Sequence, residues 1–399
     1  MSGEASLLDP RRLDELSRHL AMTGADGWLL YDFHDRNPLA ASLLGVTGST
    51  RRSFALFPSQ GEPMLLRHAI EASTWSHWPW DVRTYVDWQE LSRELARMLS
   101  PHRVVAMEVS SDDAVPAVDR VPAGVVELVR TVGSVEVVSS GDLITFHHAV
   151  WSSRGLELHR RAAEIVRDTV LGSFRLAAQV GRAEPMTETA LADHIRARLR
   201  EAGLTDQEDC IVAVGAAAAD PHYRPEGEGR LLGSGELVLI DAWGRDPDGG
   251  IPADQTWMGF LGTDPPGPAL EAWEAVREAR DRALEFLAVH HRNGTEVRGH
   301  EVDRVARDSL ERRGLGDHFV HRLGHSIDER LHGSGPDLDS LEAREERRLI
   351  PGVGFSVEPG VYIPGELGMR SEVNVFWGTD EMEVTPTEIQ RDLLTFPPG

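Results

Sequence analysis

The 399-residue sequence contains no lysine, so arginine supplies all 41 of its basic residues. That absence excludes Schiff-base chemistry, which needs a lysine amine, and a Walker-type phosphate loop, which needs its own lysine. Cysteine is nearly as scarce. The single Cys210 can form no internal disulfide, which suits a reducing compartment, and within the apolar run Cys210-Ile-Val-Ala-Val214 it reads as packing and not as a nucleophile. Positive charge is also in deficit: 65 acidic residues against 41 basic give a net charge of −24, a field that repels phosphate backbones and anionic lipid head groups. No nucleic-acid partner and no membrane partner are therefore expected. No segment approaches the ~20 apolar residues of a membrane helix, and the opening Met1-Ser-Gly-Glu-Ala-Ser-Leu-Leu-Asp-Pro10 has no apolar leader core, so a cytoplasmic location is expected.

What is present is enough for a sizeable core: 41% of the residues are hydrophobic, in a chain longer than the ~100–200 residues usual for one domain. Residues 1–150 alternate helical and extended patterns. Leu13 to Met22 and Leu91 to Leu99 have helical spacing, Gly27 to Tyr31 and Val104 to Glu108 read as strands, and Ser53 to Phe57 with Glu62 to Leu66 as a hairpin. The tryptophans of Trp75-Ser-His-Trp-Pro-Trp80 are read as a binding surface or a subunit contact. From Leu156 the texture changes. Helices are expected over Leu156–Val180, Thr187–Ala202 with Thr187 as N-cap, Pro268–His291 and Thr295–Arg313. Extended runs lie between and after them, at Glu236–Trp243, Ala253–Phe260, Gly354–Glu358 and Ser371–Phe376.

Those strands carry the chemistry. Asp241 interrupts the buried-looking run Leu237-Val-Leu-Ile240, and the next strand places Asp254 thirteen positions on, from 241 to 254. Burying a lone carboxylate costs several kcal/mol unless a cation or donors balance it. A strand-end aspartate bonding loop amides is the competing reading for either one alone. A second pair tips the balance: Glu358 follows Phe355-Ser-Val357, and Glu372 opens Val373-Asn-Val-Phe376. Four carboxylates on two hairpins, with no lysine to neutralise them and Arg370 alone insufficient, point to divalent cations. An imidazole is available from His321-Arg-Leu-Gly-His325-Ser-Ile-Asp-Glu-Arg-Leu-His332, and oxygen donors plus one imidazole favour manganese, cobalt or zinc over a thiolate site.

In order and context, Asp241, Asp254, His325, Glu358 and Glu372 resemble the five-ligand dinuclear site of the pita-bread metallopeptidases, the family of methionine aminopeptidase, aminopeptidase P and prolidase. The likeness covers residues 151–399. The phrases Asp220-Pro-His-Tyr223, Val357-Glu-Pro-Gly-Val-Tyr362 and Arg370-Ser-Glu-Val-Asn374 are similar to the proline-directed branch, and residues 1–150 resemble its creatinase-like extra domain. The resemblance implies an α+β chain, with a small α/β domain over 1–150 and a pita-bread catalytic domain over 151–399. It implies two divalent ions per subunit, manganese first with cobalt or zinc as alternatives, and a homodimer acting on short proline-containing peptides.

Carried over by position, Asp241 resembles a ligand of one metal, Asp254 and Glu372 the bridging ligands, and His325 and Glu358 the ligands of the other. Glu358 also matches the proton shuttle, and His222 and His332 the histidines that bind the substrate carbonyl. His321 corresponds to a further pocket histidine, and Arg370 to the arginine that orients a ligand aspartate. A hydroxide held between two metals would attack the carbonyl before proline, with Glu358 passing the proton to the leaving nitrogen. Arg344, fourteen positions before Glu358, stands where prolidases bind the substrate's terminal carboxylate, although Glu342-Ala-Arg-Glu-Glu-Arg-Arg348 also reads as a solvated charged face.

The sequence departs from the family pattern in the long turn Arg245-Asp-Pro-Asp-Gly-Gly250, in Ser326 where glycine follows the ligand histidine, and in Gly333 where glutamate follows the second one. These bear on substrate preference more than on reaction type. Two other readings compete: a metal-free amidinohydrolase like creatinase, and a non-catalytic peptide- or partner-binding module. Either is expected to have lost several of the carboxylates retained here.

Overall fold

Strand β1 (Gly27–Asp32) is buried along its whole length, because alternate side chains feed two cores on opposite faces of one sheet. Trp28 and Leu30 pack with Leu16, Leu43 and Phe57, whereas Leu29 and Tyr31 pack with Phe54, Leu95 and Val129. The structure is a computed structural model and describes residues 6–111, 114–180, 186–206 and 210–397. The first residues of the leader reading, 1–5, lie outside it. Among the described residues no helix is long and apolar enough to cross a membrane.

The chain divides into two compact units, Met1–His148 and Ala149–Gly399. In the first, β1 is joined by β2 (Ser53–Pro58), β3 (Met64–His68), β4 (Asp81–Tyr85), β5 (Val104–Met107) and β6 (Glu136–Ser139) in a sheet of order β4-β3-β2-β1-β5-β6. The β1–β2 and β2–β3 pairs are antiparallel and the others parallel. Helices α1 (Leu13–Thr23), α2 (Pro38–Leu44), α3 (Trp88–Leu99), α4 (Ala123–Gly133) and α5 (Gly141–His148) accompany it. Helix α3 starts three residues before the spacing suggests, since Asp87 caps it by accepting from Glu90 N at 2.8 Å. The tryptophan-rich segment is corrected too: Trp75 and Trp78 are 4% and 7% exposed and belong to the core, so they offer no binding surface.

Glu108 follows β5 and is fully buried, accepting from Trp28 Nε1 (2.7 Å), Asn37 Nδ2 (2.8 Å) and Ser140 Oγ (3.2 Å). Burial pushes its carboxyl up to about 7, against those three donors. An acid raised in the fold binds its proton more tightly there than in the unfolded chain. Its contribution is therefore complete below about pH 4.5 and is lost as pH rises through 7, by about 3 kcal/mol at one pKa unit per 1.36 kcal/mol. Urea unfolding of the full chain between pH 5 and 8 should show this unit weakening with pH, and Glu108→Gln should flatten that slope. An unchanged slope would contradict the assignment.

The second unit begins with α6 (Ser153–Val180) and α7 (Glu188–Glu201), the latter capped by Thr187 Oγ1 accepting from Ala190 N at 3.1 Å. Strands β7 (Ile211–Val214), β8 (Leu237–Gly244) and β9 (Ala253–Phe260) form an antiparallel sheet. Val238, Ile240 and Ala242 from β8, with Ala253 and Trp257 from β9, point into one core with Phe174 and Ile195. Period-two alternation then puts Asp241 and Trp243 with Asp254 and Thr256 on the opposite face.

Helices α8 (Gly267–Asn293) and α9 (Gly299–Arg312) pack on each other before the last strands. Strands β10 (Ser326–Ile327), β11 (Val353–Val357), β14 (Val373–Trp377) and β15 (Met382–Thr385) make a second sheet in that order. A hairpin of β12 (Gly360–Ile363) and β13 (Leu367–Arg370) is inserted between β11 and β14, and β16 (Leu394–Thr395) joins the edge of β9. The second acidic pair is thus not a simple hairpin. Glu358 and Glu372 sit just outside the adjacent ends of β11 and β14, which pair as direct neighbours despite the excursion.

Candidate metal centre

On the face of β8 and β9 away from the helices, Asp241 lies opposite Thr256 and Asp254 opposite Trp243. Thr256 Oγ1 is 3.0 Å from Asp241 Oδ1 and 2.9 Å from Glu372 Oε2, and it accepts from Arg370 Nε at 2.9 Å. Arg370 Nη2 also donates to Asp241 Oδ2 at 2.5 Å, so one guanidinium and one hydroxyl fix the Asp241 carboxylate. The second sheet is tied to the first by Asn374, whose side chain brackets the Asp254 backbone with two 2.8 Å bonds. Glu372 N completes the tie by donating to Thr256 O at 3.2 Å.

His325 arrives on a segment pressed against β11. A Cβ on Gly324 would lie 1.9 Å from Ser356 O, so only glycine admits that approach. His325 N donates to Ser356 Oγ (2.9 Å), which also contacts Glu358 Oε1 at 3.0 Å. The ring is oriented by Nδ1 against Ser326 O (3.1 Å), which turns Nε2 toward Asp254 Oδ2 at 3.4 Å and Glu358 Oε1 at 3.6 Å. Ligand-type atoms of Asp254, His325 and Glu372 all lie within 4.8 Å of one another.

The electrostatics are unbalanced in a way that invites cations. Asp254 Oδ1 and Glu372 Oε1 are buried without a hydrogen-bond partner among the described residues. Leaving such atoms unmet costs several kcal/mol per charged group. Thr256 has one proton and two carboxylate neighbours, so it cannot satisfy both. Burial pushes the Asp241 carboxyl up to about 7 against Arg370, with Asp254 and Glu358 adding to the rise. Burial, Asp254 and Glu358 likewise hold Glu372 well above the usual carboxylate range. For His325 burial opposes the charge, but Asp254 and Glu358 outweigh it and lift the imidazole to about 9. Glu358 moves the other way: burial raises it, yet His325, His321 and Arg370 bring it below its ordinary value. A hard or borderline divalent cation, met by four carboxylates and one imidazole, fits this donor set.

These residues floor a cavity of about 810 Å³, whose wall also holds His222, His321, His332 and Arg370. His332 stacks obliquely on His325 with centroids 4.4 Å apart, and burial keeps its imidazole below the usual range, hence neutral at pH 7. His222 projects from the loop after β7 with its backbone N bound to Asp220 Oδ1 at 3.0 Å. His321 is different from both. Its Nδ1 lies 2.7 Å from Arg322 O and so carries the proton, which leaves Nε2 to accept from the Tyr362 hydroxyl at 2.8 Å. With both nitrogens engaged it is a structural element of the wall.

Nine of the ten residues singled out from the sequence come together at this cavity. Arg344 does not: its side chain is 72% exposed and its Nε pairs with Glu346 Oε1 at 2.7 Å. Sequence reasoning missed Thr256 and Tyr362, whose roles come from contacts across 116 and 41 positions that no local pattern reveals. Arg322 was also passed over, although its place beside His321 was a usable signal. The two departures at 326 and 333 lie against each other. A Cβ on Gly333 would lie 2.8 Å from Ser326 Oγ and 2.9 Å from Asp328 N, so the serine occupies room that a side chain at 333 would need. Ser326 O, in turn, holds both the His325 ring and Gly333 N (2.7 Å).

Comparison with known proteins agrees with this geometry. The model of metallopeptidase family M24 matches residues 157–377. An Xaa-Pro dipeptidase of Lactobacillus helveticus is 33% identical over 189 residues, 47% of this chain and 47% of that protein. A probable dipeptidase PepE of Mycobacterium tuberculosis is 30% identical over 211 residues, 53% of this chain and 52% of the relative. The matches thus span about half the length of these curated relatives. At the level of fold, the crystal structure of dipeptidase PepE from Mycobacterium ulcerans superposes with a TM-score of 0.72 at 24% identity, over 97% of both chains.

Proposed function

Because the chain belongs to metallopeptidase family M24, we propose that it hydrolyses the peptide bond on the amino side of proline in dipeptides or short peptides. Asp241, Asp254, His325, Glu358 and Glu372 would hold two divalent ions, with manganese the first candidate for an oxygen-rich set containing one imidazole. The observation that carries the reading is the pair of buried carboxylate oxygens without partners, at Asp254 and Glu372, beside an imidazole and two further acids.

When bound, such ions supply a hydroxide nucleophile at neutral pH and polarise the carbonyl under attack. The remaining work falls to side chains. Glu358, held by Ser356 and kept ionised by its cationic neighbours, can take the nucleophile's proton and deliver it to the departing proline nitrogen. His332 and His222 face the same space and can donate to the oxygen that gains charge. Arg370 and Thr256 hold Asp241 in place, and the Tyr362–His321 pair closes the wall behind them. Proline's tertiary amide has no N–H, so a site built on ions and histidines loses nothing where proteases that require that donor fail. The four retained carboxylates weigh against both a creatinase-like amidinohydrolase and a non-catalytic module. A cytoplasmic homodimer with the domain boundary near residue 150 completes the proposal.

Manganese-loaded protein should cleave Ala-Pro and Ala-Pro-Ala but not Ala-Ala, and exhaustive chelation should abolish the activity reversibly. Cleavage of Ala-Ala at the same rate, or full activity after chelation, would reject the reading.

A further inference from the structure

His332 differs from His321 and His325 in having no hydrogen bond to orient it. The His325 ring is aimed by Ser326 O, and the His321 ring by Arg322 O and the Tyr362 hydroxyl. Among the described residues His332 has only its oblique stack on His325, with centroids 4.4 Å apart. An imidazole that must meet a developing charge loses rate steeply when displaced, by about 10²-fold for 1 Å. The backbone that carries His332 therefore has to supply its placement.

That backbone is the loop of residues 328–334, which is closed twice at its neck. Gly333 N donates to Ser326 O at 2.7 Å, the same carbonyl that orients His325. Across the neck lies Asp328, which is 2% exposed. Its Oδ2 accepts from Ser334 N (2.7 Å) and Ser334 Oγ (2.8 Å), and its Oδ1 accepts from Arg330 N (2.9 Å). One carboxylate thus grips the chain on both sides of Leu331 and His332, the two residues of the loop that line the cavity. A Cβ on Gly333 would lie 3.0 Å from Asp328 Cγ, so the carboxylate is seated against the residue that follows His332. Two arginines hold the loop from outside: Arg245 Nη1 donates to Glu329 O at 2.9 Å and Arg347 Nη1 to Ser334 O at 2.6 Å. Burying a carboxylate is costly unless donors meet it, and here two backbone N–H groups and a hydroxyl do so.

We propose that Asp328 is a positioning residue for hydrolysis: its carboxylate fixes the loop of residues 328–334 and, through it, the His332 imidazole. The role deepens the peptidase reading above and rests on it. Asparagine at 328 keeps the volume and breaks the clasp. Its amide presents one oxygen, to Arg330 N or to Ser334, so one backbone N–H that now meets a carboxylate oxygen would face an NH2 group instead. The neck should relax there, and the ligand carboxylates, which lie on other segments, should stay in place.

The test is a double-mutant cycle on the metal-loaded full chain with Ala-Pro, using D328N, H332A and D328N/H332A, with bound metal measured for each. D328N should lower kcat by about 10- to 100-fold, with KM within about threefold of wild type and metal content unchanged. In the H332A background the same substitution should cost less than about twofold, because the group it misplaces is already gone. S334A removes the hydroxyl contact alone and should show a smaller loss in kcat that likewise vanishes in H332A, and it decides if D328N does not fold. A purely structural role predicts losses that add to that of H332A or that follow lost metal. An equal fractional loss in the two backgrounds, an unchanged kcat, or a fall in bound metal would overturn the inference while leaving the peptidase reading intact. Failure of the wild-type chain to cleave Ala-Pro would overturn that reading, and this inference with it.

Discussion

Glu358→Gln should lower kcat by about 10²–10⁴-fold on an Xaa-Pro dipeptide, the range spanned by loss of a positioned proton carrier. The amide keeps the size of the side chain and can still meet Ser356 Oγ, which lies 3.0 Å from Oε1. It cannot accept and return a proton. The side chain sits at the end of β11 with its charge supported by His325, His321 and Arg370, so the substitution also removes a negative charge from the donor set. Metal analysis of the variant separates the two losses. If Glu358→Gln retains bound metal and loses activity, the proton role is isolated, whereas loss of both assigns the effect to the ligand role. His332→Ala serves as the comparison: it removes one oxyanion donor and should cost about 10²–10³-fold in kcat with metal content unchanged. Activity of Glu358→Gln within a few-fold of wild type would contradict the mechanism.

Much of the architecture was legible because its signals are local. The short apolar runs in Gly27–Asp32 and Leu237–Gly244 read as buried strands, and Thr187 stands three residues before the Ala190 N–H that it caps. The acids at 241 and 254 were legible as intrusions into apolar strands, and the register places both on one face. Three things were not legible, each for a physical reason. The tryptophans at 75 and 78 look like a surface in sequence because aromatic clusters suit interfaces and cores equally, and only packing against Phe57 separates the two. The excursion of β12 and β13 between β11 and β14 is invisible locally, because pairing between Ser356 and Asn374 depends on a contact across the inserted hairpin. Arg344 was chosen by spacing alone, and spacing carries no information on which way a charged side chain turns when Glu346 lies within reach.

The central claim is that the acids on β8 and β9, those just outside the adjacent ends of β11 and β14, and the imidazole of His325 are built to be neutralised by divalent cations. Its consequences for stability are large. A ligand that binds only the folded chain stabilises it by RT ln(1 + [L]/Kd), about 2.7 kcal/mol at a hundredfold excess over Kd, so chelation should lower the melting temperature by roughly 5–10 °C. Protons compete for the same oxygens. Carboxyls raised in the fold, Asp241 to about 7 and Glu372 well above the usual carboxylate range, must lose their protons to coordinate, so affinity should increase as pH rises toward and through 7, with protons released on binding. The most direct measurement is calorimetric titration of chelated full-length protein with Mn²⁺ at pH 7.5, alongside Asp254→Asn and Glu372→Gln. The account predicts two ions per chain for wild type, with proton release and a matching thermal shift, and loss of at least one ion in each variant. Binding of less than a fifth of an equivalent by wild type, or unchanged stoichiometry in both variants, would contradict it.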